Sequence, residues 1–155
     1  MQTFRPAATE NPSSATRNHP DPPKVAQVRF YCGAHLPANN PIDHVLPWSL
    51  VGIDGLANLV LACARCNTDK ASALPAVAII ERVLDRDRAV LEQIGSEISW
   101  PTQHERVVAA ARGIYRAQPA GVPTWSGYKQ TQRLDIGFVP SWARLSQPMM
   151  GSSLR

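Results

Sequence analysis

Two short motifs constrain this chain more than anything else in it: Cys32-Gly-Ala-His35 and Cys63-Ala-Arg-Cys66. Each sets two metal-capable side chains three positions apart, a spacing that lets both ends of a tight turn point at one ion. Two such pairs make a Cys3His shell, which suits tetrahedral zinc and closes the ion to water. The chain holds three cysteines and all of them fall in these motifs. An odd count argues against a disulfide framework and for a metal or free thiols.

A second, harder set of residues is interleaved with the first. Asp43-His44 follows Pro41-Ile42 and precedes Val45-Leu46-Pro47; Asn58 precedes Leu59-Val60-Leu61-Ala62, an apolar run with strand character. Asn67 directly follows the last cysteine and Lys70 lies three residues on. Hydrolysis of a phosphodiester needs an activated water, a cation on the scissile phosphate and stabilisation of the leaving oxygen. An imidazole such as that of His44 takes a proton from water near neutral pH. Asp43 and Asn67 offer one anionic and one neutral oxygen, a sparse hard site that favours magnesium or manganese completed by waters and phosphate oxygens. An Asp-His pair alone is most often a surface turn; it gains weight here from the asparagines and the cysteine motifs around it.

From Cys32 to Pro75 the chain resembles the HNH nuclease family, in its zinc-knuckle-containing branch. The family's Asp-His, Pro-x-Ser, Asn-Leu, Cys-x-x-Cys-Asn and lysine read here as DHVLPWS, NLVLA and CARCNTDK, in the family's order and spacing. The resemblance implies a ββα-metal fold, a two-stranded hairpin and a helix around a metal, with zinc knuckles bracing its base. It makes His44 the general base, Asp43 and Asn67 the ligands of a catalytic magnesium or manganese, and Asn58 a structural residue that pins the loop carrying His44. Lys70 shares a helix face with Asn67 and is expected at the phosphate backbone. Arg65 is a further candidate nucleic-acid contact, although it is also spaced for an i, i+4 ion pair with Asp69. Trp48 is expected to pack under the loop.

Length allows one modest domain: 155 residues, 44% hydrophobic and 18% charged. No run of 18 apolar residues occurs, so nothing is expected to span a membrane, and the N-terminus lacks an apolar signal-peptide core. Cysteines that serve a metal fit the cytosol. The net charge of +4 permits nucleic-acid binding without demanding it. That charge is concentrated late: residues 119–155 carry Lys129, Arg133, Arg144 and Arg155 against Asp135.

Taken in order, residues 1–24 are rich in Pro, Ser, Thr and Asn and are expected to lack order. Residues 25–118 form the nuclease domain with a helical extension. Within it, a strand is expected over 25–31, a connection over 36–57 with His44 at the end of a short strand, a second strand over 58–62, and a helix from 63–67 to about residue 72. Apolar periodicity predicts a helix over 76–94. A second spans 102–117, with Thr102 as cap and Glu105 at the capping-box position. Residues 119–155 form an irregular basic tail whose Trp125, Tyr128, Phe138 and Trp142 either wrap the core, dock on a partner or stack on bases, wrapping or docking being favoured.

The expected fold class is therefore α+β: a small zinc-braced ββα-metal nuclease core, two amphipathic helices and an irregular C-terminal tail. The expected activity is magnesium-dependent hydrolysis of DNA, double-stranded DNA above all, by nicking or double-strand cleavage. One rival is a catalytically silent zinc module that binds nucleic acid or protein. Asp43, His44, Asn58 and Asn67 argue against it, since a zinc scaffold needs none of them. Another is a nuclease subunit active only with protein partners, in a larger defence or phage-packaging complex.

Overall fold

A computed structural model describes residues 28–36, 40–135 and 142. It is an α+β structure of short antiparallel sheets and helices. Strands β1 (Ile42–His44) and β2 (Leu59–Leu61) pair antiparallel, with Ile42 opposite Leu61, Asp43 opposite Val60 and His44 opposite Leu59. Strand alternation then sorts the side chains: Asp43 and Val60 are buried, while Ile42 and Leu61 are exposed. The connection between them holds a short helix α1 (Trp48–Val51) and a 3-10 turn (Leu56–Asn58). Helix α2 (Ala64–Lys70) follows β2 directly, and Cys63 caps it, its sulfur accepting from the Cys66 N–H at 3.3 Å. The strand expected over 25–31 is reduced to a Val28–His35 bridge and a Phe30 N–H to Leu61 O bond of 2.9 Å, with residues 25–27 outside the described region.

The helical extension differs from the expectation in one instructive way. The single helix predicted over 76–94 is two, α3 (Val77–Leu84) and α4 (Arg88–Glu97). Asp87 caps α4 by accepting from the Val90 N–H at 3.1 Å. The break also turns Arg86 inward, where its guanidinium donates to the carbonyls of Leu56 (3.0 Å), Ala57 (2.8 Å) and Leu59 (2.8 Å). An unbroken helix would offer none of these bonds. Helix α5 (His104–Ala117) starts without the predicted side-chain cap. The carbonyls of Pro101 and Thr102 accept instead from Leu56 N and Ala57 N, each at 3.0 Å, and Glu105 pairs with Arg88 at 2.9 Å. Gly55 makes this approach possible: a Cβ there would lie 2.5 Å from the Thr102 carbonyl oxygen.

Residues from all these elements share one core: Val45, Leu46, Ile53 and Val60 from the β1–β2 segment, Ile79, Ile80 and Val83 from α3, and Val107, Ala111 and Tyr115 from α5. Burying a side chain of the Val, Leu or Ile class is worth roughly 1.5–3 kcal/mol.

The segment expected as an irregular tail contains a hairpin, β3 (Pro123–Gly127) and β4 (Gln130–Arg133), with a bulge between Trp125 and Gly127. Trp125 is buried, its N–H donates to Leu74 O and its carbonyl accepts from Ala76 N, both at 2.7 Å. Trp142 packs edge-on against Tyr115, while Phe138 lies outside the described residues. The described aromatics of this segment thus lie on the core. No helix of the described residues is long and apolar enough to cross a membrane.

Candidate active site and thiol cluster

The turn at residues 30–33 and the cap of α2 bring Cys32, Cys63 and Cys66 together, their sulfurs all within 4.8 Å of one another. The Cys32–Cys63 sulfur separation is 4.0 Å, and none of the three is in a disulfide. A tetrahedral ion with zinc–sulfur bonds of about 2.3 Å sets its ligand sulfurs about 3.8 Å apart, so the spacing fits zinc. Electrostatics agree. Burial, reinforced by the neighbouring Cys63 and Cys32 sulfurs, pushes the Cys66 thiol up to about 12. Burial also opposes ionisation of Cys63, but donation from the Cys66 N–H and contacts with the other two thiols outweigh it and hold Cys63 below its ordinary value. Three sulfurs this close, in competition for protons, are a site that a soft cation would relieve. His35 does not join them: it is exposed and bridges Val28 through the backbone.

Asp43 points inward from β1 onto α2. Its Oδ2 accepts from the Tyr31 hydroxyl at 2.5 Å and lies 3.1 Å from the Lys70 ammonium. Lys70 also donates to the His44 carbonyl at 2.8 Å. Burial lowers the Lys70 ammonium below the usual lysine range, with Asp43 acting against that shift. Burial, and then the Asp43 charge, push the Tyr31 phenol far up, so it stays a donor. The expectation that Lys70 contacts a phosphate backbone is therefore corrected. Its side chain is fully buried, because the carboxylate and the carbonyl it satisfies face α2. Asn67, three residues earlier on the same helix, is half-buried.

His44 ends β1 and turns toward the connecting loop. Its Nε2 lies 2.8 Å from Asp54 Oδ1. A carboxylate only accepts, so Nε2 carries a proton, and in the neutral imidazole Nδ1 is the acceptor. Asp54 is held in turn, its carbonyl accepting from the Trp100 indole at 2.6 Å. Asn58, fully buried, fastens the loop between them. Its Oδ1 accepts from Leu46 N at 2.8 Å, and its Nδ2 donates to the carbonyls of Leu46 (3.0 Å) and Ile53 (3.1 Å).

Three other placements differ from the sequence reading. Arg65 does not pair with Asp69; its guanidinium stacks over Tyr128, 4.3 Å from the ring centroid, and Asp69 accepts from Trp125 and Lys129 instead. Trp48 is exposed rather than packed under the loop. Asp54 reads in the sequence only as a marker of the return loop with Gly52 and Gly55, and Tyr31 only as the end of a strand; neither reads as a site residue. The Gly52-Ile53-Asp54-Gly55 run offered a signal for Asp54, an acid in a loop returning toward His44, but it reads equally as turn chemistry.

A short hairpin backed by a helix, a histidine at the strand end, a buried carboxylate on the helix-facing side and thiols at the helix cap define a hairpin–helix domain with a candidate metal centre. Residues 30–72 match the family model HNH endonuclease, the family its motifs resemble. Neither the curated proteins nor the solved structures yield a match.

Proposed function

We propose that this protein is a divalent-metal-dependent endonuclease that hydrolyses phosphodiester bonds in double-stranded DNA, by nicking or by cutting both strands. The observation that carries the reading is the 2.8 Å contact between His44 Nε2 and Asp54, which orients the ring so that Nδ1 of the neutral imidazole is the proton acceptor. His44 Nδ1 takes the proton of a water whose oxygen attacks phosphorus as the bond to the leaving sugar oxygen breaks. Asp54 is a positioning residue that holds the ring and its tautomer. Asp43 and Asn67 are the hard donors for magnesium or manganese, which when bound supplies positive charge to the scissile phosphate. Tyr31 and Lys70 fix the Asp43 carboxylate, and Asn58 fixes the loop.

Cys32, Cys63 and Cys66 hold a structural zinc. Thiols kept for a metal suit the cytosol. The net charge of +4 suits a polyanionic substrate. Incubating purified protein with supercoiled plasmid, with and without magnesium, and with an RNA substrate in parallel, tests the reading. Magnesium-dependent conversion of the plasmid to open-circular or linear form is expected; an intact plasmid under all metal conditions would overturn it.

A further inference from the structure

The β3–β4 hairpin lies outside the matched HNH segment, and nothing in the proposed chemistry uses it. It is nonetheless fastened to the helix that carries Asn67 and Lys70. Asp69 Oδ2 accepts from both the Trp125 indole and the Lys129 backbone N–H at 2.8 Å, and Arg65 stacks on Tyr128 in the hairpin turn. Helix α2 therefore presents Lys70 to β1, and Arg65 and Asp69 to the hairpin.

What the hairpin shows to solvent is distinctive. All four residues of β4, Gln130, Thr131, Gln132 and Arg133, are exposed. Lys129 at the turn has φ +56°, a left-handed conformation that usually falls to Gly or Asn. A lysine there puts a cation at the hairpin tip in spite of the backbone penalty. Its ammonium lies 5.4 Å from the Tyr128 ring that Arg65 also covers, so two cations share one aromatic ring. The acid beside them, Asp69, is spent on the indole and the backbone N–H. Cations, amides and a hydroxyl on one exposed ribbon match phosphate and sugar oxygens. A protein partner would want aromatic or aliphatic anchors, and β4 has none; the large exposed apolar side chains, such as Ile42, Leu50 and Ile98, belong to other elements.

We propose that the β3–β4 hairpin, with Arg65, is a second contact surface for the nucleic-acid duplex, holding phosphates through Lys129, Arg133 and Arg65 while the substrate is presented to His44. The inference rests on the nuclease reading above.

The test is binding of a short labelled DNA duplex by fluorescence anisotropy across a salt series, in a His44→Ala background that does not cut it. Lys129→Gly removes a charge while relaxing the left-handed backbone, so it should melt no earlier than its parent. Each lost phosphate contact should make the slope of log affinity against log salt shallower by about 0.9. Lys129→Gly should therefore flatten the slope by about 0.9, and Lys129→Gly with Arg133→Gln by about 1.8. Unchanged slopes in both variants would overturn the proposal, as would weaker binding with an unchanged slope, which would assign the hairpin to packing alone. Plasmid cleavage by the wild type in the same preparation separates the two readings. Cleavage with unchanged variant slopes removes only the hairpin contact, whereas a wild type that neither binds nor cuts removes both.

Discussion

Replacing Asn58 with alanine strips the loop between β1 and β2 of its internal fastening. The amide makes three hydrogen bonds inside the fold, to Leu46 N, Leu46 O and Ile53 O. Asn58 and Leu46 are both fully buried, so water does not replace the lost partners. An orphaned buried donor costs about 1–3 kcal/mol, and the two carbonyls add to that, for a total of about 3–5 kcal/mol. In a domain of this size such a loss lowers the melting temperature by roughly 10–20 °C. The variant should still fold at low temperature, because the apolar side chains of α3 and α5 keep their core partners Val45, Leu46 and Val60. Even then its cleavage rate should fall by about 10²-fold, since the loop aims His44 and carries Asp54. Circular dichroism melting and plasmid cleavage below the transition measure the two effects separately. An Asn58→Ala protein that melts within about 2 °C of the wild type would refute the reasoning, because three buried backbone groups cannot lose their partner at so little cost.

Four further outcomes are expected. Asp54→Ala should lower the cleavage rate by about 10²-fold at saturating DNA with little change in KM, and Asp54→Asn, which keeps an acceptor, should recover part of it; a larger effect on KM than on kcat would remove the positioning role. Lys70→Met should destabilise the fold by about 3–5 kcal/mol, because Asp43 would be left as an unpaired buried charge; denaturant unfolding checks this, and restoration by a second change, Asp43→Asn, should follow. Cys63→Ser, or a strong chelator, should unfold the hairpin–helix unit, since structural zinc contributes roughly 10–16 kcal/mol of apparent binding free energy; elemental analysis finding no stoichiometric zinc in the fresh protein would contradict it. The carboxyl of Asp69 is held below its usual range by the Trp125 indole and the Lys129 N–H. A depressed folded value means its contribution is complete above the ordinary aspartate value of about 4 and disappears as pH falls through the lower folded value. The stability gap between wild type and Asp69→Asn should therefore be constant at neutral pH and close only in acid; a gap that closes on raising the pH would contradict the hairpin's attachment through this carboxylate.

The parts of the fold that were legible in the sequence are those fixed by local rules. Apolar runs beside Asp43-His44 and after Asn58 mark β1 and β2, and a cysteine cap followed by Ala64 opens α2. What was not legible depends on partners distant in sequence. Lys70 has the residue type of a solvated lysine, and only the pairing of β1 with α2 reveals that Asp43 and the His44 carbonyl surround it. Asp54 resembles any turn acid until the loop closes on His44. The run Asp85-Arg86-Asp87 suits a continuous helix by periodicity, yet at the break between α3 and α4 Arg86 turns inward to the carbonyls of Leu56, Ala57 and Leu59. The β3–β4 hairpin lacks clean alternation because Thr124 and Trp125 are both buried around a bulge, so no period of two marks it in the sequence. His35 shares the knuckle spacing of Cys32 but stands apart from the thiols that the chain fold gathers.

The central claim is that His44 is the base of a metal-dependent nuclease, and it is tested most directly by the purified His44→Ala protein on supercoiled plasmid with magnesium. The account predicts a loss of about 10²–10⁴-fold in cleavage rate, with zinc content, melting temperature and duplex affinity kept. Cleavage by His44→Ala at the wild-type rate would contradict it.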